Sequence, residues 1–224
     1  MAARASLRAK TTIAGPPEAP PKCQLCPRLV NYRQTNEREE PEWFNGAVPS
    51  FGDPNANLLI VGLAPGRMGA NRTGRPFTGD YAGELLYSTL LKFGFARGTY
   101  EARPDDGLHL VNCMITNAVR CAPPENKPTP AEISQCRQFF TARLAELPKL
   151  KIMLALGRIA HDQALTTLGL PKAKFTFAHG ARHDIGNGRV LYDSFHCSRY
   201  NTNTRRLTPD MFHAVFAAIR SDLR

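Results

Sequence analysis

Apolar and polar positions follow one another in blocks whose period changes along the chain. Asn57 to Leu63 is a short, nearly continuous apolar run (Asn-Leu-Leu-Ile-Val-Gly-Leu) stopped by Ala-Pro-Gly. That pattern predicts a strand buried on both faces. Leu108–Thr116, Leu150–Leu156 and Arg189–Phe195 predict three further strands. Between them the spacing becomes helical. Thr78–Phe93 carries Leu85, Leu86, Leu90 and Phe93 on one stripe, with Gly79 and Asp80 at its start, where an Asp can cap. Pro130–Leu147 opens with Pro-Ala-Glu, a helix beginning. A helix through Leu168 follows Gly157, and Pro209–Leu223 reads as a last helix capped by Thr208. Cys23–Arg38 also has a helical pattern after a Cys-x-x-Cys-Pro start.

Strands alternating with helices in this way define a parallel sheet covered on both faces. The prediction is one α/β domain over residues 22–224, three-layered (α/β/α), with a four-stranded, mainly parallel central sheet. Residues 1–21 read as a disordered arm ending in Pro-rich coil. The start is basic, but no apolar core follows it, so a floppy leader is a better reading than a secretory signal. No internal repeat is visible.

In open α/β sheets, ligands bind beyond the carboxyl ends of the strands. Here those ends run into Gly62-Leu-Ala-Pro-Gly66, Thr116-Asn-Ala-Val-Arg-Cys121, Gly157-Arg158 and His196-Cys-Ser-Arg-Tyr-Asn201. Polar, Gly-rich and basic residues gather at one edge, and the active site is expected there. The Gly62–Gly66 turn has neither the Lys of a P-loop nor the third Gly of a dinucleotide fingerprint. That speaks against an ordinary nucleotide-triphosphate or dinucleotide enzyme.

Composition narrows the classes. With 42% hydrophobic residues the chain can bury a core without staples. Its longest uninterrupted apolar run, Ala214–Ile219, is far short of the roughly 20 residues of a membrane span. The formal net charge is +10, which favours an anionic partner, nucleic acid first. The excess concentrates in Leu150–Pro209, where nine Lys/Arg face three Asp/Glu.

Six cysteines change the picture further. Cys23-x-x-Cys26 has metal-type spacing, and Cys121 and Cys136 bracket a Pro-rich loop. Four such thiolates can close around zinc or a [4Fe–4S] cluster, and spacing does not choose between them. Cys113 lies within a strand and reads as core. Cys197 beside His196 offers a thiol nucleophile that no other residue supports.

Four motifs in order, Gly62-Leu-Ala-Pro-Gly66, Gly74-Arg-Pro-Phe-Thr-Gly-Asp80, Asn117-Ala-Val-Arg-Cys121 and His196-Cys-Ser, resemble those of the family 5 uracil-DNA glycosylases. The resemblance covers roughly residues 22–222 and extends to the iron–sulfur family 4 enzymes. It implies hydrolysis of the N-glycosidic bond of uracil, and of other deaminated bases, in DNA, leaving an abasic site. It also implies a [4Fe–4S] cluster on Cys23, Cys26, Cys121 and Cys136.

The same resemblance assigns roles. Phe77 stacks on the extruded base and Asn117 reads its pyrimidine edge. Backbone amides of the turn at Gly62, Leu63 and Ala64 hold a carbonyl oxygen. His196 donates to the pyrimidine O2 as negative charge builds there, whether as imidazole or imidazolium. The first motif carries no acid at Ala64, so Asp80 is left to position water or stabilise the cationic sugar, as an ionised carboxylate at a helix start. Arg199 or Tyr200 wedges into the duplex, and Arg205 and Arg206 hold flanking phosphates. No Lys sits in these motifs, which points to a monofunctional hydrolase. The expected partner is uracil-containing DNA and no membrane; the chain is expected to be a cytoplasmic, nucleoid-associated prokaryotic monomer. The rivals are a non-catalytic iron–sulfur or zinc nucleic-acid-binding protein and an α/β enzyme acting on a free nucleotide.

Overall fold

The computed structural model describes residues 17–224. In chain order the elements are α1 (Pro27–Glu39), β1 (Phe51–Gly52), β2 (Leu58–Gly62), α2 (Ala70–Thr73), α3 (Tyr81–Lys92), β3 (Ala96–Arg97), β4 (His109–Leu110) and β5 (Cys113–Asn117). Then come α4 (Pro130–Ala145), β6 (Ile152–Leu156), α5 (Arg158–Thr167), β7 (Arg182–Asp184), β8 (Val190–Ser194), α6 (Arg199–Asn203) and α7 (Pro209–Asp222).

The central sheet has six strands in the order β1-β5-β2-β6-β8-β7, not the four expected. The four inner strands are parallel, and β1 and β7 add antiparallel edges. Both edges escape sequence reading for physical reasons. β1 is two residues long, and β7 (Arg-His-Asp) is polar and largely exposed, so neither shows an apolar period. The strand expected over Leu108–Thr116 is divided. Asn112 adopts φ 52°, a left-handed conformation that no strand continues through. β4 therefore pairs with β3 in a small separate hairpin, while β5 joins the main sheet. The Asn112 side chain accepts from the Asn57 N–H (2.9 Å) and so steadies the start of β2.

Strand β2 shows how a continuous apolar run serves two layers. Leu58 and Ile60 face a core shared with α3 and α7, including Leu86, Leu90, Phe212 and Phe216. Leu59 and Val61 face the opposite core, with Phe140 and Leu144 of α4 and Ala160, Ala164 and Leu165 of α5. The period of two within the run is invisible until both faces are covered.

The helix starts match their sequence signals. Asp80 accepts from the Gly83 N–H, Thr208 accepts from the Met211 N–H, and Thr129 forms a reciprocal capping box with Glu132. α1 begins only at Pro27, with Cys26 as its N-cap. Residues 1–16 of the expected arm lie outside the described residues. Residues 17–21 are not loose coil: Glu18 pairs with Arg120 at 3.0 Å and accepts from the Ser50 N–H at 2.9 Å.

Candidate active site

The carboxyl ends of β2, β5 and β8 open into a cavity of about 630 Å³. Leu63, Ala64, Phe77, Asp80, Asn117, His196 and Arg199 all line it. The register Gly62↔Asn117 brings the first and third motifs side by side. No lysine is among its lining residues.

Phe77 is 7% exposed and sits at φ 53°, a costly conformation for a bulky side chain. Its turn is clamped by a buried ion pair. The Arg75 guanidinium donates to Asp106 at 2.8 and 2.7 Å and to the Thr78 hydroxyl at 2.7 Å. These bonds hold the Asp106 carboxyl well below the usual carboxylate range. The Tyr87 hydroxyl donates to the Pro76 carbonyl at 2.6 Å, and the Phe77 carbonyl accepts from Tyr100 at 3.4 Å.

Gly62 makes room for two site groups. A Cβ there would meet the Phe77 ring edge at 2.7 Å and overlap Asn117 Oδ1. Asn117 is 2% exposed, and its Oδ1 is buried with no hydrogen-bond partner. An unsatisfied buried acceptor costs about 1–3 kcal/mol, so a ligand donor is the expected complement. The Ala64 N–H beside it donates to no acceptor among the described residues. The Leu63 carbonyl is engaged, accepting from the Val119 N–H at 2.9 Å.

His196 follows β8, with its ring stacked near Phe77 at 5.8 Å between centroids and 29° between planes. Burial pushes its pKa down to about 4, and no charged or hydrogen-bonding neighbour opposes the shift. A pKa lowered in this way favours the neutral imidazole near pH 7. Cys197 beside it is fully buried, and burial drives its thiol strongly upward, away from thiolate chemistry.

Asp80 has two occupied sides. Oδ1 accepts from the Gly83 N–H at 3.2 Å, as an N-cap should. Oδ2 lies over Gly66 and Gly69, 3.2 Å from where a Gly66 Cβ would stand. Cap and cavity carboxylate are one residue. Burial raises its pKa, opposed by the Gly83 and Ala82 amides and by Arg72, so burial works against the ionised form expected of a carboxylate at a helix start.

Sequence reasoning missed Asn126. Its Oδ1 also looks onto the Gly66 position, at 3.9 Å, so it shares that corner of the cavity with Asp80. Glu125 and Asn126 both take left-handed φ values, 54° and 57°. The available signal was an Asn in the Pro-rich Cys121–Cys136 loop, since Asn tolerates that conformation.

Of the remaining predicted residues, Arg199 lines the cavity, while Tyr200, Arg205 and Arg206 are not among its lining residues. Arg199 packs over the Tyr81 ring at 5.3 Å, and Tyr200, on α6, is 72% exposed. Arg206 lies 4.6 Å above the Phe195 ring, and Arg205 is exposed at φ 56°. Met68, 55% exposed, is an apolar lining side chain that the sequence reading did not single out.

Away from the cavity, Cys23, Cys26, Cys121 and Cys136 line one small hollow with Leu29, Val30, Val119 and Phe139. All are free thiols. The Arg120 N–H donates to Cys136 Sγ at 3.3 Å.

The cavity at the strand ends thus joins an aromatic ring, a buried amide and an imidazole. The family model of the uracil DNA glycosylase superfamily matches residues 49–220, and the chain belongs to that superfamily. Within it the chain stands with the type-5 members. It is 47% identical over 199 residues to the type-5 uracil-DNA glycosylase of Thermus thermophilus, covering 86% of this chain and 90% of that one. It is 38% identical to the type-5 uracil-DNA glycosylase of Pyrobaculum aerophilum, covering 89% and 88%. The type-4 uracil-DNA glycosylase of Archaeoglobus fulgidus is more distant, at 33% identity over 68% of this chain and 65% of that one.

Proposed function

We propose that the chain is a monofunctional DNA glycosylase that hydrolyses the N-glycosidic bond of uracil, and of other deaminated bases, in DNA. The observation that carries this is the Asn117 Oδ1 acceptor, buried and unpartnered in a cavity walled by Phe77 and His196. A flipped uracil supplies the missing donor through its N3–H, stacks on Phe77, and places a carbonyl near the free Ala64 amide.

As the bond to C1′ breaks, its electron pair leaves with the base, and the sugar becomes cationic. Neutral His196 donates a hydrogen bond to the pyrimidine O2 and stabilises the leaving anion without protonating it. Asp80 Oδ2 faces the sugar side with negative charge. A water held between Asp80 and Asn126 above Gly66 attacks C1′ and passes its proton to the carboxylate, whose raised pKa suits that task. Tyr200 fills the gap left by the base, and Arg199, Arg205 and Arg206 hold phosphates. With no lysine on the cavity, no Schiff base forms and the product is an intact abasic site. The chain acts as a monomer on chromosomal DNA in the cytoplasm of a prokaryotic cell; no described helix is long and apolar enough to cross a membrane.

Cys23, Cys26, Cys121 and Cys136 hold a [4Fe–4S] cluster. The four thiols line one hollow, which supports a single four-thiolate centre, and the choice of iron–sulfur over zinc follows the family resemblance. When bound, the cluster ties residues 23–26 to the Cys121–Cys136 loop that carries Asn126, a structural service with no part in bond cleavage.

The test is a uracil-containing duplex incubated with the protein, then treated with alkali and resolved on a gel. Strand cleavage at uracil only after alkali is expected. No cleavage would leave a binding protein, and cleavage without alkali would overturn the monofunctional assignment.

A further inference from the structure

Three arginines surround the cysteine hollow, and two have carboxylate partners. Arg28 forms a bidentate pair with Glu132, both bonds at 2.8 Å, and Arg120 pairs with Glu18 at 3.0 Å. Arg33 differs. It lies on α1 at helical spacing from Cys26, Leu29 and Val30, and is only 5% exposed. No carboxylate lies within ion-pair distance of it among the described residues. Its Nη2 donates to the Cys23 carbonyl at 3.0 Å, and its Nη1 lies 3.9 Å from Cys121 Sγ.

A guanidinium does not shed its proton in a protein, and a buried charge without an opposite partner is strongly destabilising. The negative charge missing from this region must come from what Arg33 faces, and it faces sulfur. Neutral thiols do not supply it; thiolates engaged in a centre do.

We infer that Arg33 is the buried counter-ion of the four-thiolate centre, governing how firmly that centre is held and the potential at which it takes up one electron. This rests on the cluster reading above. A [4Fe–4S] centre with four thiolates is net anionic and becomes more so on one-electron reduction. A fixed cation beside Cys121 favours both states, and the reduced one more, so it raises the reduction potential. The planar fork spans two ligand segments at once, Cys23 through its carbonyl and Cys121 through its sulfur.

The test uses the iron-loaded full chain, with dithionite as the reductant of an electron-paramagnetic-resonance titration and a chelator challenge alongside. Arg33→Met removes the charge and keeps the length. It should shift the midpoint potential to more negative values and lose iron to the chelator about tenfold faster, the effect of losing one charge-assisted hydrogen bond. Arg33→Lys should restore most of the potential. A Met variant with the parent potential and the parent rate of iron loss overturns the proposal. Should the Met variant take up no iron, the Lys variant decides. Iron-loaded with a near-parent potential, it supports the counter-ion; equally empty, it shows a packing role and overturns it. Zinc without iron in the parent protein would instead refute the cluster itself, before any variant is compared.

Discussion

Two histidines bracket the end of β8, and the fold treats them in opposite ways. His161, on α5, is 1% exposed and fully partnered: its Nδ1 lies 2.7 Å from Asp193 Oδ1, and its Nε2 donates to the Phe175 carbonyl at 2.9 Å. Its pKa is raised, because Asp193 and that carbonyl outweigh the burial that would lower it. His183 adds a contact to the second Asp193 oxygen at 3.0 Å. His196, three residues beyond Asp193, has burial and nothing to offset it. One region spends its polar groups on each other. The other leaves His196, Asn117 Oδ1 and the Ala64 amide uncommitted, at a stability cost, so that a ligand can complete them.

The comparison breaks most sharply in the rate of bond cleavage. Asp80→Asn keeps the N-cap and much of the hydrogen bonding while removing the charge. His196→Ala removes the donor to the leaving base. Each should lower the single-turnover rate by about 10²–10³, the scale for one electrostatic group. Binding to a duplex bearing an uncleavable uracil analogue should change far less. Near-full activity of Asp80→Asn would reduce Asp80 to a cap. His161→Gln, by contrast, should leave the single-turnover rate near the parent value and lower stability instead, measured by urea unfolding.

A smaller effect probes the room the fold leaves for the site. Gly62→Ala pushes a methyl into Asn117 Oδ1 and the Phe77 edge. Misplacing these groups by about 1 Å should cost up to about 10²-fold in kcat/KM. If rate and uracil selectivity both survive, the Gly62 gap has no role in positioning them.

Much of this division was legible in the sequence, and unevenly so. The four parallel strands and the caps at Asp80 and Thr208 follow from local pattern, because buried strands and helix starts leave one-dimensional signals. The edge strands β1 and β7 left none, being short or polar. The strand ends marked where Asn117 and His196 would lie, but the roles of the site residues became legible only through motif resemblance, and no periodicity marks Phe77. Both uses of Asp80 were open in the sequence, and the structure joins them in one residue that caps α3 and lines the cavity. Asn126, the Arg75–Asp106 clamp and the Asp193 network join residues far apart in the chain, which spacing cannot reveal.

The smallest expected effect lies in how stability responds to pH, and there the two histidines pull in opposite directions. A free histidine titrates near 6.5. His196 titrates in the folded chain at about 4, so the unfolded chain binds the proton the native site refuses. Its contribution is neutral above pH 6.5 and becomes destabilising as pH falls from about 6.5 toward 4. His161, raised in the fold, contributes stability that is fully present below about 6.5 and is lost as pH rises through its folded value. Urea unfolding at pH 5 and pH 8 of the parent, His196→Phe and His161→Gln chains separates the two. His196→Phe should gain stability at pH 5 relative to pH 8, on the order of 1 kcal/mol, since each pKa unit is worth about 1.4 kcal/mol and the ring is partly open to water. His161→Gln should lose more stability at pH 5 than at pH 8. Parallel profiles for all three chains would mean that the His196 ring is solvated and the Asp193 network uncharged, and the contrast between site and scaffold would then rest on hydrogen bonding alone.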